Sequence, residues 1–207
     1  MDVHTAPEGE RSGRSAESVE EAADIIANLT LPSKLDTLKG DRAANQRLRK
    51  ACYWLHASGN PDEVLKVAIV VTPRGELAKA ALRRNLKIIQ GLGRLTEENQ
   101  AKMRRGNSPV ITRGPYAEEK AEVDHIVPLA EAPTFTNWIC NLEFMPRTLN
   151  RRKGGKLTPR AASHLEKLTE ALQDQIAREI VEKSEFQTRF LRGTALEALQ
   201  GEQDLIP

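Results

Sequence analysis

Apolar residues between Ser18 and Gly106 recur every three to four positions, the period of a helix with one face in a core. SVEEAADIIANL opens with Ser18, carries Glu21 three positions on in a capping-box arrangement, and then offers Ile25, Ile26 and Leu29 to one side. KLDTLKGDRAANQRLRKACYWLHAS repeats the period through Leu48, Ala51, Cys52 and Leu55. PDEVLKVAIVV starts on Pro61 with acids in its first turn, and GELAKAALRRNLKIIQGL continues through Leu77, Ala81, Leu82, Leu86 and Ile89. TEENQAKMRR adds a short helix that stops at Gly106. Residues 17–105 are therefore expected to form a helical region, behind a polar tail at 1–16 whose Gly, Ser, Pro and charge content predicts disorder.

From 106 to 158 the period changes. SPVITRGPY and KAEVDHIVP are β-rich runs bounded by Gly and Pro, followed by the loop LAEAPTFTNWIC, the run NLEFM and a basic helix PRTLNRRKGG with Pro146 near its start and two glycines at its end. Strand, loop, strand, helix is the expected order. After Pro159 the helical period resumes, with Leu165, Leu168, Leu172, Ile176 and Ile180 on one side; residues 159–207 are expected as C-terminal helices that meet the core or a partner. The fold class is α+β and mostly α-helical, a small β-rich unit embedded between an N-terminal helical body and C-terminal helices.

Charge alters this picture only locally. The 31 Lys+Arg and 29 Asp+Glu leave a net charge of +2, which neither requires nor forbids a nucleic acid. Met1 to Leu31 holds seven acids and two bases, whereas Asn141 to Arg160 holds six bases and one acid. The positive cluster thus lies on and after the short basic helix, and the acidic N-terminal segment could compete for it. The two cysteines, Cys52 and Cys140, form no CxxC pair and predict reduced, semi-buried thiols. No apolar run could span a bilayer and the N-terminus lacks a signal-peptide core, so a cytoplasmic protein is expected. KGGKLT lacks the glycine and the Ser/Thr that a phosphate-binding P-loop needs. His4, His56 and His164 have no partners at ligand spacing, and Trp54 and Trp138 suit core packing better than base stacking.

The chemistry concentrates in AEVDHIVPL. Val123, Ile126, Val127 and Leu129 read as a buried strand; a strand alternates its faces, so Asp124 and His125 point to opposite sides. Burying either one unpaired would cost several kcal/mol, on the order of a lost polar solvation shell, and each therefore needs a partner. If this strand ends beside the basic helix, Asp124 and Asn150 can offer oxygens to a single cation, with phosphate and water completing its shell. Hard oxygen donors and open positions suit one Mg²⁺, or Mn²⁺ in its place. His125, turned away from the ion toward solvent water, is then available to take a proton near neutral pH.

VDHIVPL, CNLEFMP and LNRRKGGK together resemble the HNH endonucleases, whose ββα-metal module reads Asp-His, a central Asn, and a final His or Asn followed by basic residues. The resemblance covers roughly residues 106 to 158, about a quarter of the chain, and says nothing of the flanking helices. It implies Asp124 as first metal ligand, His125 as general base, Asn141 as the structural asparagine that pins the loop within the catalytic motif, and Asn150 as second metal ligand. The final position is Asn rather than His, the His-Asn-Asn variant, which favours Mg²⁺. It further implies one-metal hydrolysis of phosphodiester bonds, with DNA as the expected substrate. Arg147, Arg151, Arg152, Lys153 and Lys156 would bind phosphates, giving affinity without sequence information. Glu122, on the same strand face as Asp124, is a candidate to support the ion or its waters. Taken singly, an Asp-His pair suits a surface hydrogen bond, an RRK run suits a helix end and Asn141 suits a turn; order and spacing together favour the nuclease. The competing expectation is a catalytically silent nucleic-acid-binding or partner-binding protein that retains the scaffold. A double-strand cutter with one such site is compatible with a homodimer.

Overall fold

Each helix expected in the N-terminal region forms, and most start on a side chain suited to the task. The computed structural model describes residues 18–30, 41–93 and 95–203, with side chains described for 18–30, 44–93 and 95–187. The tail expected at 1–16 and the KLDTLKG stretch that opens the second helical run lie outside the described residues. α1 (Val19–Thr30) begins where Ser18 Oγ accepts the Glu21 N–H at 3.1 Å. α2 (Asp41–Ala57) follows, then α3 (Pro61–Ala68), capped by Asn60, and α4 (Pro73–Gly91), where Thr72 Oγ1 accepts the Gly75 N–H at 2.9 Å. α5 (Glu97–Arg104) is capped by Thr96. Such caps stabilise a helix by about 1 kcal/mol each, and proline at the first position of α3 and α4 forfeits no bond.

The apolar faces of these helices close one core. Ile26, Leu48, Leu55, Leu65, Leu82 and Met103 are fully buried in it, and so are Leu142 and, nearly, Phe144 from the β-hairpin. β1 (Ala121–His125) and β2 (Leu142–Pro146) are antiparallel, with Val123 opposite Phe144, Asp124 opposite Glu143 and His125 opposite Leu142. Their inner face is thus sealed against the helical body, which gives the hairpin a rigid seat. α6 (Arg147–Lys153) covers the outer face, and α7 (Pro159–Gln203) runs on from it. The fold is α+β and mostly α, with seven helices and one two-stranded sheet among the described residues. None of these helices is long and apolar enough to cross a membrane.

A two-stranded sheet leaves backbone groups unpaired at its edges. Asn85 of α4 supplies what a third strand would: its Nδ2 donates to Leu142 O and its Oδ1 accepts the Phe144 N–H, both at 2.8 Å. Asn99 of α5 clamps Val110 in the same way, at 2.8 and 2.9 Å. These buried amides join the helical body to the β segment by direction as well as by burial.

In its elements the structure departs from the sequence reading at four places. SPVITRGPY makes a single bridge, Val110 to Lys120, instead of a strand. β1 stops at His125, so Leu129, read as part of the buried strand, is exposed beyond Pro128. The loop LAEAPTFTNWIC contains two 3₁₀ turns, Pro133–Phe135 and Ile139–Asn141. Residues 159–203 form one helix, of which Leu168 and Ala171 are buried against Ala81, Val127, Phe135 and Trp138, whereas Ile176 and Ile180 are exposed. Both cysteines are buried and unpaired with each other. Trp138 is buried edge-on to Phe135, with the Arg74 guanidinium 4.0 Å from its ring centre, which suits packing.

Candidate active site

Alternation along β1 sends Glu122 and Asp124 to the outer face, where α6 lies across them. The start of α6 is tied down twice. Arg147 N donates to Lys120 O at 3.3 Å, and the Glu119 carboxylate accepts both the Thr148 N–H at 2.9 Å and its hydroxyl at 2.6 Å. Those bonds from Thr148 lower the Glu119 carboxyl below its ordinary range, and a negative charge there suits the helix N-terminus. At the other end Gly154, at φ 56°, turns the chain off the helix in a conformation a side chain would resist.

Residues 147, 150 and 153 share one face of α6 by their spacing of three, and that face looks onto β1. Arg147 Nε donates to Glu122 Oε1 at 2.9 Å, and Asn150 Nδ2 donates to Glu122 Oε2 at 3.0 Å. The Lys153 ammonium bonds both Asp124 Oδ2 and the His125 carbonyl. Asn150 is therefore brought to the outer face of β1, two residues along the strand from Asp124, and holds its place through Glu122. Burial pushes the Glu122 carboxyl up, but the bonds from Asn150 and Arg147 outweigh it and leave the group below its ordinary range.

His125 takes the opposite face. It is 7% exposed, so the expectation of a ring turned toward bulk water is not met. Its Nε2 lies 2.9 Å from Thr136 O. A carbonyl only accepts, so Nε2 carries the hydrogen, and in the neutral ring Nδ1 is the nitrogen that takes a proton. Asn141 is 1% exposed and pins the loop between the strands: its Oδ1 accepts the Val127 N–H at 2.9 Å, and its Nδ2 donates to Val127 O at 3.2 Å and Phe135 O at 3.3 Å. Both amide ends face backbone, so Asn141 shapes the site and does not reach into it.

The five bases named from sequence divide. Arg147 and Lys153 are engaged by Glu122 and Asp124, while Arg151, Arg152 and Lys156 are exposed. The sequence reading missed a second group of charges. Glu143, opposite Asp124 and 7% exposed, accepts from both terminal guanidinium nitrogens of Arg160, Nη1 at 3.0 Å, and lies 3.3 Å from Arg84 Nε. The signal was present in LEFMP, whose alternation sends Glu143 outward beside Asp124.

The donors suit a hard cation with few protein ligands. Among the described residues no group of three or more His, Cys, Asp and Glu side chains is placed to hold a metal. A carboxylate at Asp124 and an amide oxygen at Asn150 match an ion that keeps most of its water, as Mg²⁺ does. At present the Asp124 carboxylate is balanced by the Lys153 ammonium, which also meets the His125 carbonyl. In comparisons with known protein families, characterised proteins and solved structures, the chain has no significant match.

Proposed function

We propose that the chain is a metal-dependent endonuclease with an HNH-type ββα-metal site that hydrolyses phosphodiester bonds in DNA. The supporting observation is that α6 crosses the outer face of β1 and brings Asn150 and Lys153 to Glu122 and Asp124, while His125 is fixed on the strand's other side by Thr136. Asp124 and Asn150 would hold one Mg²⁺, or Mn²⁺, and the ion would supply charge stabilisation to the scissile phosphate and the leaving 3′ oxygen. Lys153 releases Asp124 for that ion and turns to the phosphate backbone. His125 Nδ1 takes a proton from water as the water oxygen bonds to phosphorus and the bond from phosphorus to the 3′ oxygen breaks; solvent protonates the departing oxygen. Glu122 keeps Asn150 aligned, and Asn141 holds the loop that carries Thr136. Arg147, Arg151, Arg152 and Lys156 contact flanking phosphates, and a double-strand cut would call for two copies.

Nicking of supercoiled plasmid by the full chain tests this. Cleavage with Mg²⁺ is expected, abolished by EDTA and reduced about 10²–10⁴-fold by His125→Ala. A second reading draws on the Lys153 contact: if Lys153 never leaves Asp124, the chain is a silent nucleic-acid-binding protein. Retardation of DNA on a gel without cleavage under any divalent metal would establish that reading and sink the first.

A further inference from the structure

A cavity of about 220 Å³ opens between α4 and the start of α7, lined by Arg84, Ile126, Arg160, Ser163, His164 and Lys167. At about 30 Å³ per water it has room for roughly seven waters, enough for an anion with part of its hydration shell. Its charge is unbalanced. Arg84, Arg160 and Lys167 stand around it, and among the described residues Arg84 and Arg160 share the single carboxylate of Glu143. His164 stands at its wall: Nε2 lies 2.9 Å from Cys140 O, which fixes a hydrogen on that nitrogen, and burial lowers its pKa against the raising effect of that bond, with Arg84, Arg160 and Lys167 lowering it further. Ser163, exposed on α7, contributes a hydroxyl donor.

The location ties the cavity to the active site. Ile126 follows His125 in the chain, and Glu143, which holds Arg160 and lies beside Arg84, is the direct cross-strand partner of Asp124. α6 occupies the outer face toward Glu122; the cavity lies at the other end of the hairpin, past Asp124.

We propose that this cavity is a phosphate subsite for the DNA strand, taking a backbone phosphodiester next to the one held at Asp124. The assignment rests on the nuclease reading, and it gives that reading a second phosphate contact made by α4 and α7 instead of α6. Lys167 and Arg160 are the binding side chains. Arg84 lies beneath them, shared with Glu143.

The test separates the two claims by measuring binding without cleavage. Full-length protein in EDTA is titrated against a fluorescent duplex, with anisotropy followed over a range of salt. Lys167→Ala, an exposed residue whose loss leaves the core intact, is expected to weaken binding roughly fivefold and to lower the salt slope by about one contact, regardless of sequence. Arg160→Ala should do the same. Lys183→Ala, sixteen residues and about 24 Å further along α7, should bind as wild type. Unchanged affinity and slope in both Lys167→Ala and Arg160→Ala overturn the subsite, even where Mg²⁺-dependent nicking shows the nuclease to be correct. Reduced affinity and slope uphold it, even where no nicking occurs. Displacement of the duplex by millimolar inorganic phosphate at matched ionic strength would mark a site for free phosphate and overturn the assignment to a strand.

Discussion

Asn141 and Lys153 are each committed to more than one partner, and the two commitments differ in kind. Asn141 is enclosed, and its amide satisfies Val127 N, Val127 O and Phe135 O, none of which has water as an alternative. Asn141→Leu removes all three bonds while filling the space. Each orphaned buried group costs about 1–3 kcal/mol, so a melting-temperature fall of several degrees is expected, along with loss of nicking because Thr136 is no longer held at His125. A variant that melts like wild type would show that the loop is held by other means. Lys153 is different, because its ammonium holds a carboxylate that the proposed function assigns to a metal ion. Lys153→Met keeps the aliphatic stem and removes the competing charge. The Mn²⁺ dissociation constant, read by calorimetry on His125→Ala background protein, is expected to fall severalfold, while affinity for duplex DNA weakens. Looser Mn²⁺ binding would instead mean that Lys153 aligns Asp124 for the ion.

At the scale of elements, the hairpin is only as rigid as the helix behind it. Asn85 on α4 occupies the outer edge of β2 on either side of Glu143, at Leu142 O and Phe144 N. Asn85→Leu is expected to leave both groups unpaired, at about 1–3 kcal/mol each, and to accelerate amide hydrogen exchange at Phe144 well beyond the global change. Exchange unaltered at Phe144 would refute the clamp. Nothing in the sequence marks this role, since a polar residue inside GELAKAALRRNLKIIQGL reads as an interruption of the apolar face. α1 to α5 and the two strands were legible, because the period of the helices and the alternation in AEVDH and LEFMP follow from burial of one face; SPVITRGPY, β-rich in composition, was not. α6 was bounded by Pro146 and by Gly154, whose conformation matches its place in the sequence. Less legible was what each face meets. Periodicity groups Ile176 and Ile180 with Leu168, yet Leu168 is buried and the two isoleucines are exposed. Likewise the RRK run gives no sign that Lys153 points inward and Arg151 and Arg152 outward; that follows from where α6 lies on β1.

Across the whole molecule, histidines at two distant places make folding depend on pH. His56 on α2 is lowered by burial. His164 on α7 is lowered first by burial, against the raising effect of its bond to Cys140 O, and further by Arg84, Arg160 and Lys167. In the unfolded chain both rings titrate near 6.5, so below about that pH the unfolded state binds more protons than the folded one. Stability is therefore fully present above pH 6.5 and is lost as pH falls toward the lowered folded values. A second loss follows at more acidic pH, where the carboxyls of Glu98, Glu119 and Glu122, all lowered in the fold, take up protons. Melting temperatures at intervals from pH 7.5 to 3.5 should thus decline in two stages. His164→Gln keeps a donor for Cys140 O but cannot be protonated, so it should shallow the first stage and leave the second alone. Melting that stays level between pH 7.5 and 5.5 would mean that His164 accepts its proton in place, and the three cations around it would then have to be farther from the ring, or better screened, than their effect on it implies.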